Sequence, residues 1–232
     1  MNAKNLIFIA RVLSILSTPF YLPLLGLMAL FSFSYLAMLP FNYKLRLMLI
    51  VYVFTVLTPT LLIHLYRRYQ GWNLFQLGFR ERRMIPYVIS ILCYYLCFYI
   101  LNMLHVTYFM TSILIAALLI QVVCAIINVY WKVSTHTAGI GGVAGALQAF
   151  AFLFSFNPVW WLCIILLLGG MVGTSRIILR QHSLSQVIAG FLIGMVCAGF
   201  AVMKLSVNLM ICIHLSVLSW AARVICPSWR KP

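Results

Sequence analysis

Acidic side chains are all but missing from this chain: its 232 residues hold one carboxylate, Glu81, against sixteen Lys plus Arg. One carboxylate excludes a carboxylate cage for two metals and the paired carboxylates of glycosidic chemistry. Paired metal spacings of the CxxC kind are missing too, and the seven cysteines fall mostly inside apolar runs, where they act as small packing residues. Charge of either sign is scarce, at 7% of residues, too little to cover a soluble domain. The cations are scattered between apolar runs with no soluble domain to present them, which excludes nucleic acid as a partner. Any reaction here has to be carried by His, Ser, Lys and Arg.

Apolar sequence is what the chain has in abundance, at 65% hydrophobic residues and a mean hydropathy of +1.10. Apolar runs of membrane-spanning length recur, and in lipid they must be helical, because an open strand or loop leaves backbone groups unpaired. The expected fold is an all-α polytopic transmembrane helix bundle of about seven or eight spans. It forms a single integral membrane domain over residues 1–232, with a functional core at about 67–203. Lys4 ahead of an apolar stretch mimics a signal peptide, but the run continues past Pro19 to about Leu39 without a small-residue cleavage site, so it is expected to be retained. A short interfacial helix is expected up to Leu16. Spans are expected at about 20–39, at 47–66 with a kink at Pro59, and at 87–103 with Pro86 in the first turn. Further spans are expected at about 107–130, 138–154, 159–173 and 185–203, and residues 205–222 are apolar enough for an eighth. The expected setting is the cell's inner or plasma membrane, with the bilayer as partner and anionic headgroups meeting the surplus positive charge.

Three polar islands interrupt the apolar sequence. The first carries Arg80, Glu81, Arg82 and Arg83; the second runs from Trp131 to Thr137 with Lys132, Ser134 and His136; the third runs from Ser175 to Gln186 with Arg176, Arg180 and His182. Two crossings separate the first from the second and two more separate the second from the third, so all three are expected on one face. Gly141 and Gly145, Gly169 and Gly173, and Gly190 and Gly194 lie four apart in the spans beside the last two islands, a spacing that lets helices touch. Tight packing there would hold the polar residues at the helix ends in fixed positions.

These residue types fit the cleavage of a phosphate ester. Its anionic oxygens need fixed cationic donors, phosphorus needs a nucleophile opposite the leaving oxygen, and the leaving alkoxide needs a proton. Arg176 with Arg83 or Arg80, and Lys132, answer the first need, His182 the second and His136 the third. A guanidinium fork grips two oxygens at once, and amides at the start of the helix after His136 add donors. Arg67, Arg68, Arg82 and Arg180 read as headgroup anchors, Glu81 as a local partner for its neighbouring arginines, and His64, His105 and His214 as structural.

Ser175-Arg176, five residues and then His182 resembles the third signature of the type 2 phosphatidic acid phosphatase superfamily, a Ser-Arg, five residues, His, three residues, Asp pattern. Ser134-Thr135-His136 is similar to its second signature, Ser-Gly-His. Arg83 ahead of Pro86 echoes its first, a Lys followed after six residues by Arg-Pro. The resemblance covers about residues 80–190 and implies metal-independent hydrolysis of a phosphomonoester or pyrophosphate on a membrane lipid, with no cofactor. It implies that His182 attacks phosphorus to form a phosphohistidine, and that His136 protonates the leaving group and then activates water. Arg83, Arg176 and the Ser134 hydroxyl would hold the phosphoryl oxygens.

The chain departs from the signatures at three places. Gln76 stands where the first signature has its Lys, leaving Lys132 or Arg80 to substitute; Met84 and Ile85 separate Arg83 from Pro86; and Gln186 replaces the Asp that orients the nucleophilic His. Helical spacing still brings the Gln186 amide oxygen to the His182 ring, although a neutral amide stabilises an imidazolium less than a carboxylate. That substitution keeps a second reading open, a lipid-phosphate binding or transport protein that retained the fold and lost turnover. A bis-histidine haem protein ranks below both, because His64 and His105 fall near opposite ends of their spans. The excess of Lys and Arg on the island face places that face toward the cytoplasm, while the resemblance to bacterial lipid phosphatases points to the outer face.

Overall fold

The computed structural model describes the backbone of residues 3–33, 35–71 and 80–225, with side chains across 5–15, 17–31, 36–71 and 85–204. Helices account for nearly all of it, no strand occurs among the described residues, and seven stretches are long and apolar enough to cross a membrane. The chain is an integral membrane protein built as an all-α bundle.

Helix α1 (Ala3–Leu16) ends where Ser17 and Thr18 turn their hydroxyls back onto the Leu13 and Ile15 carbonyls. A 3-10 turn at Pro19–Tyr21 then leads into α2 (Leu22–Phe33). Expected to lie at the interface, α1 is docked against α8 (Val159–Ile178). Ala10 and Ser14, one turn apart, are buried, while Phe8, Val12 and Ile15 face outward. The stretch Asn5–Phe31 counts among the seven membrane-capable ones.

Helices α3 (Phe41–Tyr52) and α4 (Thr58–Tyr69) form one crossing, joined by a π-helical turn at Val53–Leu57. Pro59 has no N–H for the helical ladder, and the ladder slips by one residue just ahead of it, with the Thr58 amide donating to the Val53 carbonyl. The distortion expected at Pro59 therefore takes the form of a π-bulge.

Helix α5 (Arg80–Met103) begins earlier than expected. The charged run 80–85 is helical, and Pro86 lies inside the helix, two turns from its start, rather than in the first turn. Gln76 lies outside the described residues, as do the side chains of Arg80, Glu81 and Arg83, so the first island's expected phosphate contacts fall outside them as well. A reversal at His105, with φ 51°, leads to α6 (Tyr108–Tyr130). Helix α7 (Thr135–Phe154) also starts earlier than expected, so His136 sits within its first turn instead of ahead of it. Ser134 has the N-cap geometry that accounts for this, its hydroxyl accepting from the Thr137 amide at 3.5 Å.

Helix α8 runs five residues beyond the expected 173 and carries Ser175 and Arg176 in its last turn. It closes with the Gln181 amide donating to the Arg176 carbonyl at 3.1 Å and Arg180 at φ 52°, the helix-ending arrangement that glycine usually supplies. Helix α9 (Leu184–Ile225) continues unbroken through residues 205–222, so that stretch prolongs the last helix instead of turning back as a separate one, and the membrane-capable part of α9 is Leu184–Lys204.

Two kinds of packing hold the bundle. Away from the islands, large side chains fill a core that includes Leu27, Val51, Leu101, Met110 and Phe150. Toward the islands, α7 and α9 meet backbone to backbone. A methyl group at Gly194 would run into the Ala138 carbonyl, one at Gly141 into the Phe191 carbonyl, and one at Gly145 into the Met195 carbonyl. The glycine spacing thus marks the closest helix contact in the described structure, next to the second and third islands.

Candidate functional site

The second and third islands are joined by two hydrogen bonds. Lys132 Nζ donates to the Gln181 carbonyl at 2.6 Å, and the Ser134 amide donates to the Gln186 carbonyl at 3.4 Å. Gly190 allows this approach, because a Cβ there would press on the Ser134 carbonyl and the Thr137 hydroxyl. The start of α5 lies at the same end: Tyr87 accepts from Asn128 Nδ2 at 2.8 Å and is within electrostatic reach of Arg176. The second and third islands thus meet at one end of the bundle, while the side chains of the first lie outside the described residues.

His182 is set by the capping of α9. Ser183-Leu184-Ser185-Gln186 is a capping-box sequence, and Gln186 Oε1 accepts from the Ser183 amide at 3.2 Å. The same oxygen lies 3.3 Å from His182 Nδ1. An atom that accepts from a backbone amide is the oxygen, so a hydrogen bond to the ring requires the proton on Nδ1 and puts the lone pair on Nε2. Gln186 therefore occupies the orienting position expected of it, and the capping box explains why a glutamine fits there.

Arg176 and His136 complete the group. Arg176 Nη1 donates to Ser14 Oγ at 2.7 Å, while its Nε is buried without a hydrogen-bond partner. His136 is within electrostatic reach of both Arg176 and His182, its Nδ1 is buried and unpartnered, and the Ser14 backbone lies against its ring. Leaving a buried donor or acceptor unpaired typically costs about 1–3 kcal/mol. Two such atoms on electrostatically linked residues mark a place shaped for something that accepts and donates hydrogen bonds.

Two other expected phosphate ligands are already engaged. The Ser134 hydroxyl is fully buried and turned onto the α7 amides, so its visible task is to cap the helix that carries His136. The Lys132 ammonium is tied to the Gln181 carbonyl.

Sequence reasoning missed Ser14, Tyr87 and Asn128. Asn128 Oδ1 accepts from the Val133 amide at 3.0 Å, and its Nδ2 donates to the Cys124 carbonyl as well as to Tyr87, which fixes the turn that leads into Ser134 and His136. An Asn near the end of an otherwise apolar span was the available signal. Ser14 gave none, because its partner lies 162 residues away.

Comparison with curated proteins and with solved structures gave no match. A family model, the PAP2 superfamily, matches residues 84–211, which contain His136, Arg176, His182 and Gln186 and leave out Ser14, Arg80 and Arg83. That match takes in more than half of the chain, and the protein belongs to the PAP2 superfamily.

Proposed function

We propose that this protein hydrolyses a phosphomonoester or pyrophosphate on a membrane lipid, through a phosphohistidine at His182 and without a metal. Family membership supports the coarser part, phosphatase action on a phosphate ester. The observation that carries the rest is the pair of buried, unpartnered atoms, Arg176 Nε and His136 Nδ1, in the group that also holds a His182 oriented by Gln186. A phosphoryl oxygen is a natural acceptor for the first.

In this scheme the His182 Nε2 lone pair attacks phosphorus while the bond to the lipid oxygen breaks. The leaving oxygen keeps the electron pair and takes a proton from His136. Water then gives a proton to His136 and attacks the phosphohistidine, which breaks the P–N bond and releases inorganic phosphate. Arg176 holds the phosphoryl oxygens throughout, with Lys132 and the first-island arginines Arg80 and Arg83 as the further cations of the proposal. Gln186 acts through His182 by fixing its tautomer. The substrate is a lipid of the inner or plasma membrane.

The test is phosphate release by the purified full chain in detergent with EDTA, across phosphatidate, phosphatidylglycerol phosphate, a polyprenyl pyrophosphate and a lipid A phosphate. Release that persists in EDTA and disappears in His182→Ala supports the reading. The Asp-to-Gln change at Gln186 favours a second one, a lipid-phosphate binding protein without turnover. Binding of the same lipids without release of phosphate, by the parent and by Gln186→Asp, would establish that instead.

A further inference from the structure

Beside the site, an apolar cavity of about 310 Å³ lies between α2, α6, α7 and the start of α8. On α7 its lining runs from Thr135, the neighbour of His136, through Gly139, where the Leu22 side chain packs onto the backbone, and on through Val143 and Ala146 to Phe150 and Phe154. This stripe is one face of the whole helix, roughly 28 Å long at the α-helical rise. Small residues contribute much of the lining, among them Gly26 and Ala29 of α2 and Ala116 and Ala117 of α6.

The cavity is unsuited to a polar guest. Two of its polar side chains are already engaged within the wall, Gln121 by Ser90 at 3.1 Å and Tyr94 by the Pro19 carbonyl at 3.5 Å. Thr135 brings polarity at the site end only. The far end is lined by Phe150 and Phe154, stacked at 5.9 Å, and Phe109, outside the lining, supports Phe154 at 5.4 Å.

We infer that the cavity receives a single hydrocarbon chain of the lipid whose phosphate lies at His136 and His182, and that Phe150 and Phe154 set the chain length it accepts. The inference rests on the proposed lipid-phosphate reading. At roughly 28 Å the stripe is nearly as long as the hydrocarbon core of a bilayer, about 30 Å, so the chain threads past the midplane instead of ending with its own leaflet. Linear alkyl and isoprenoid chains share the required chemistry. The wall that completes the cavity, α2, lies outside the residues matched to the family.

Two measurements test it on the full chain in detergent. The first is kcat/KM over two chain-length series, linear alkyl and isoprenyl monophosphates, for the parent, Ala146→Phe and Phe154→Ala. In the parent kcat/KM is expected to climb with length and then level off, and the series that climbs further identifies the chain type. Ala146→Phe is expected to lower the long-to-short ratio at least tenfold, and Phe154→Ala to move the plateau to longer chains. A flat length profile in the parent, or an equal loss at every length in both variants, would overturn the inference.

The second measurement does not depend on turnover. A long-chain alkyl phosphate with a diazirine at its chain end is expected to cross-link to the cavity stretches of α6 and α7. Cross-links confined to outward residues such as Leu167 and Val196 would overturn the cavity assignment. Cavity cross-links without hydrolysis of any substrate would retain the chain site and reject the hydrolase reading.

Discussion

Ser14 of α1 accepts a hydrogen bond from Arg176 of α8, Oγ to Nη1 at 2.7 Å, and so joins the first helix to the last turn of the helix that carries the candidate phosphate-binding arginine. The guanidinium is partly buried, so each of its donors either finds an acceptor or stays unsatisfied. Ser14 therefore fixes which edge of Arg176 faces the protein and which is left for an anion.

Removing that acceptor should release the guanidinium. Ser14→Ala is expected to reduce kcat/KM for phosphate release about tenfold, which corresponds to about 1.4 kcal/mol of lost transition-state stabilisation. Ser14→Thr keeps the hydroxyl and should retain most of the activity. Equal activity in Ser14→Ala and the parent would remove Ser14 from the site.

Gln186 makes two contacts through one oxygen, with the Ser183 amide and beside His182 Nδ1. Gln186→Asp supplies a carboxylate to the imidazolium that forms when the ring nitrogen attacks, and is expected to raise kcat several-fold. Gln186→Leu loses both contacts and is expected to lower kcat by about tenfold or more, with a modest loss of stability of about 1 kcal/mol from the cap. Single-turnover rates for the three proteins check the order Asp above Gln above Leu.

Packing at the α7–α9 contact makes a separate prediction. At Gly194 an added methyl meets the Ala138 carbonyl, whereas at Gly170 it meets open space. Gly194→Ala should destabilise the protein by about 1–3 kcal/mol, and Gly170→Ala should leave it unchanged or slightly firmer. Thermal unfolding in detergent distinguishes the two, and a Gly194→Ala midpoint equal to the parent's would contradict the backbone contact.

Asn128 should matter through the turn it holds. Asn128→Leu leaves the Val133 amide without its acceptor and removes the Tyr87 contact, with an expected cost of about 1–3 kcal/mol. Phosphate release should fall with it, because the turn positions Ser134 and the first turn of α7. A stable but inactive Asn128→Leu would show that the turn serves positioning more than folding.

Much of this was legible in the residues. Hydropathy alone dictates the helical bundle, and the glycine pairs at 141/145 and 190/194 announce the contact that brings the second and third islands together. The spacing of Arg176, His182 and Gln186 anticipates the geometry at the start of α9. Helix starts were harder to read, since local capping decides them. Ser134 draws α7 back over His136, and the charged run from Arg80 forms helix ahead of Pro86 although its composition resembles a loop. The docking of α1 and the Ser14–Arg176 bond were not legible, because the two residues meet only once the bundle has assembled. The cavity is likewise lined in part by small residues on three helices, none of which signals a void by itself.

The most direct measurement follows the phosphoryl group itself. A single-turnover reaction of the purified protein with a 32P-labelled lipid phosphate, in EDTA and quenched in alkali where phosphohistidine survives, reports whether the label passes through the protein. The account predicts transient label on the peptide that carries His182 and none in His182→Ala. Release of labelled phosphate at the full rate from His182→Ala would contradict it.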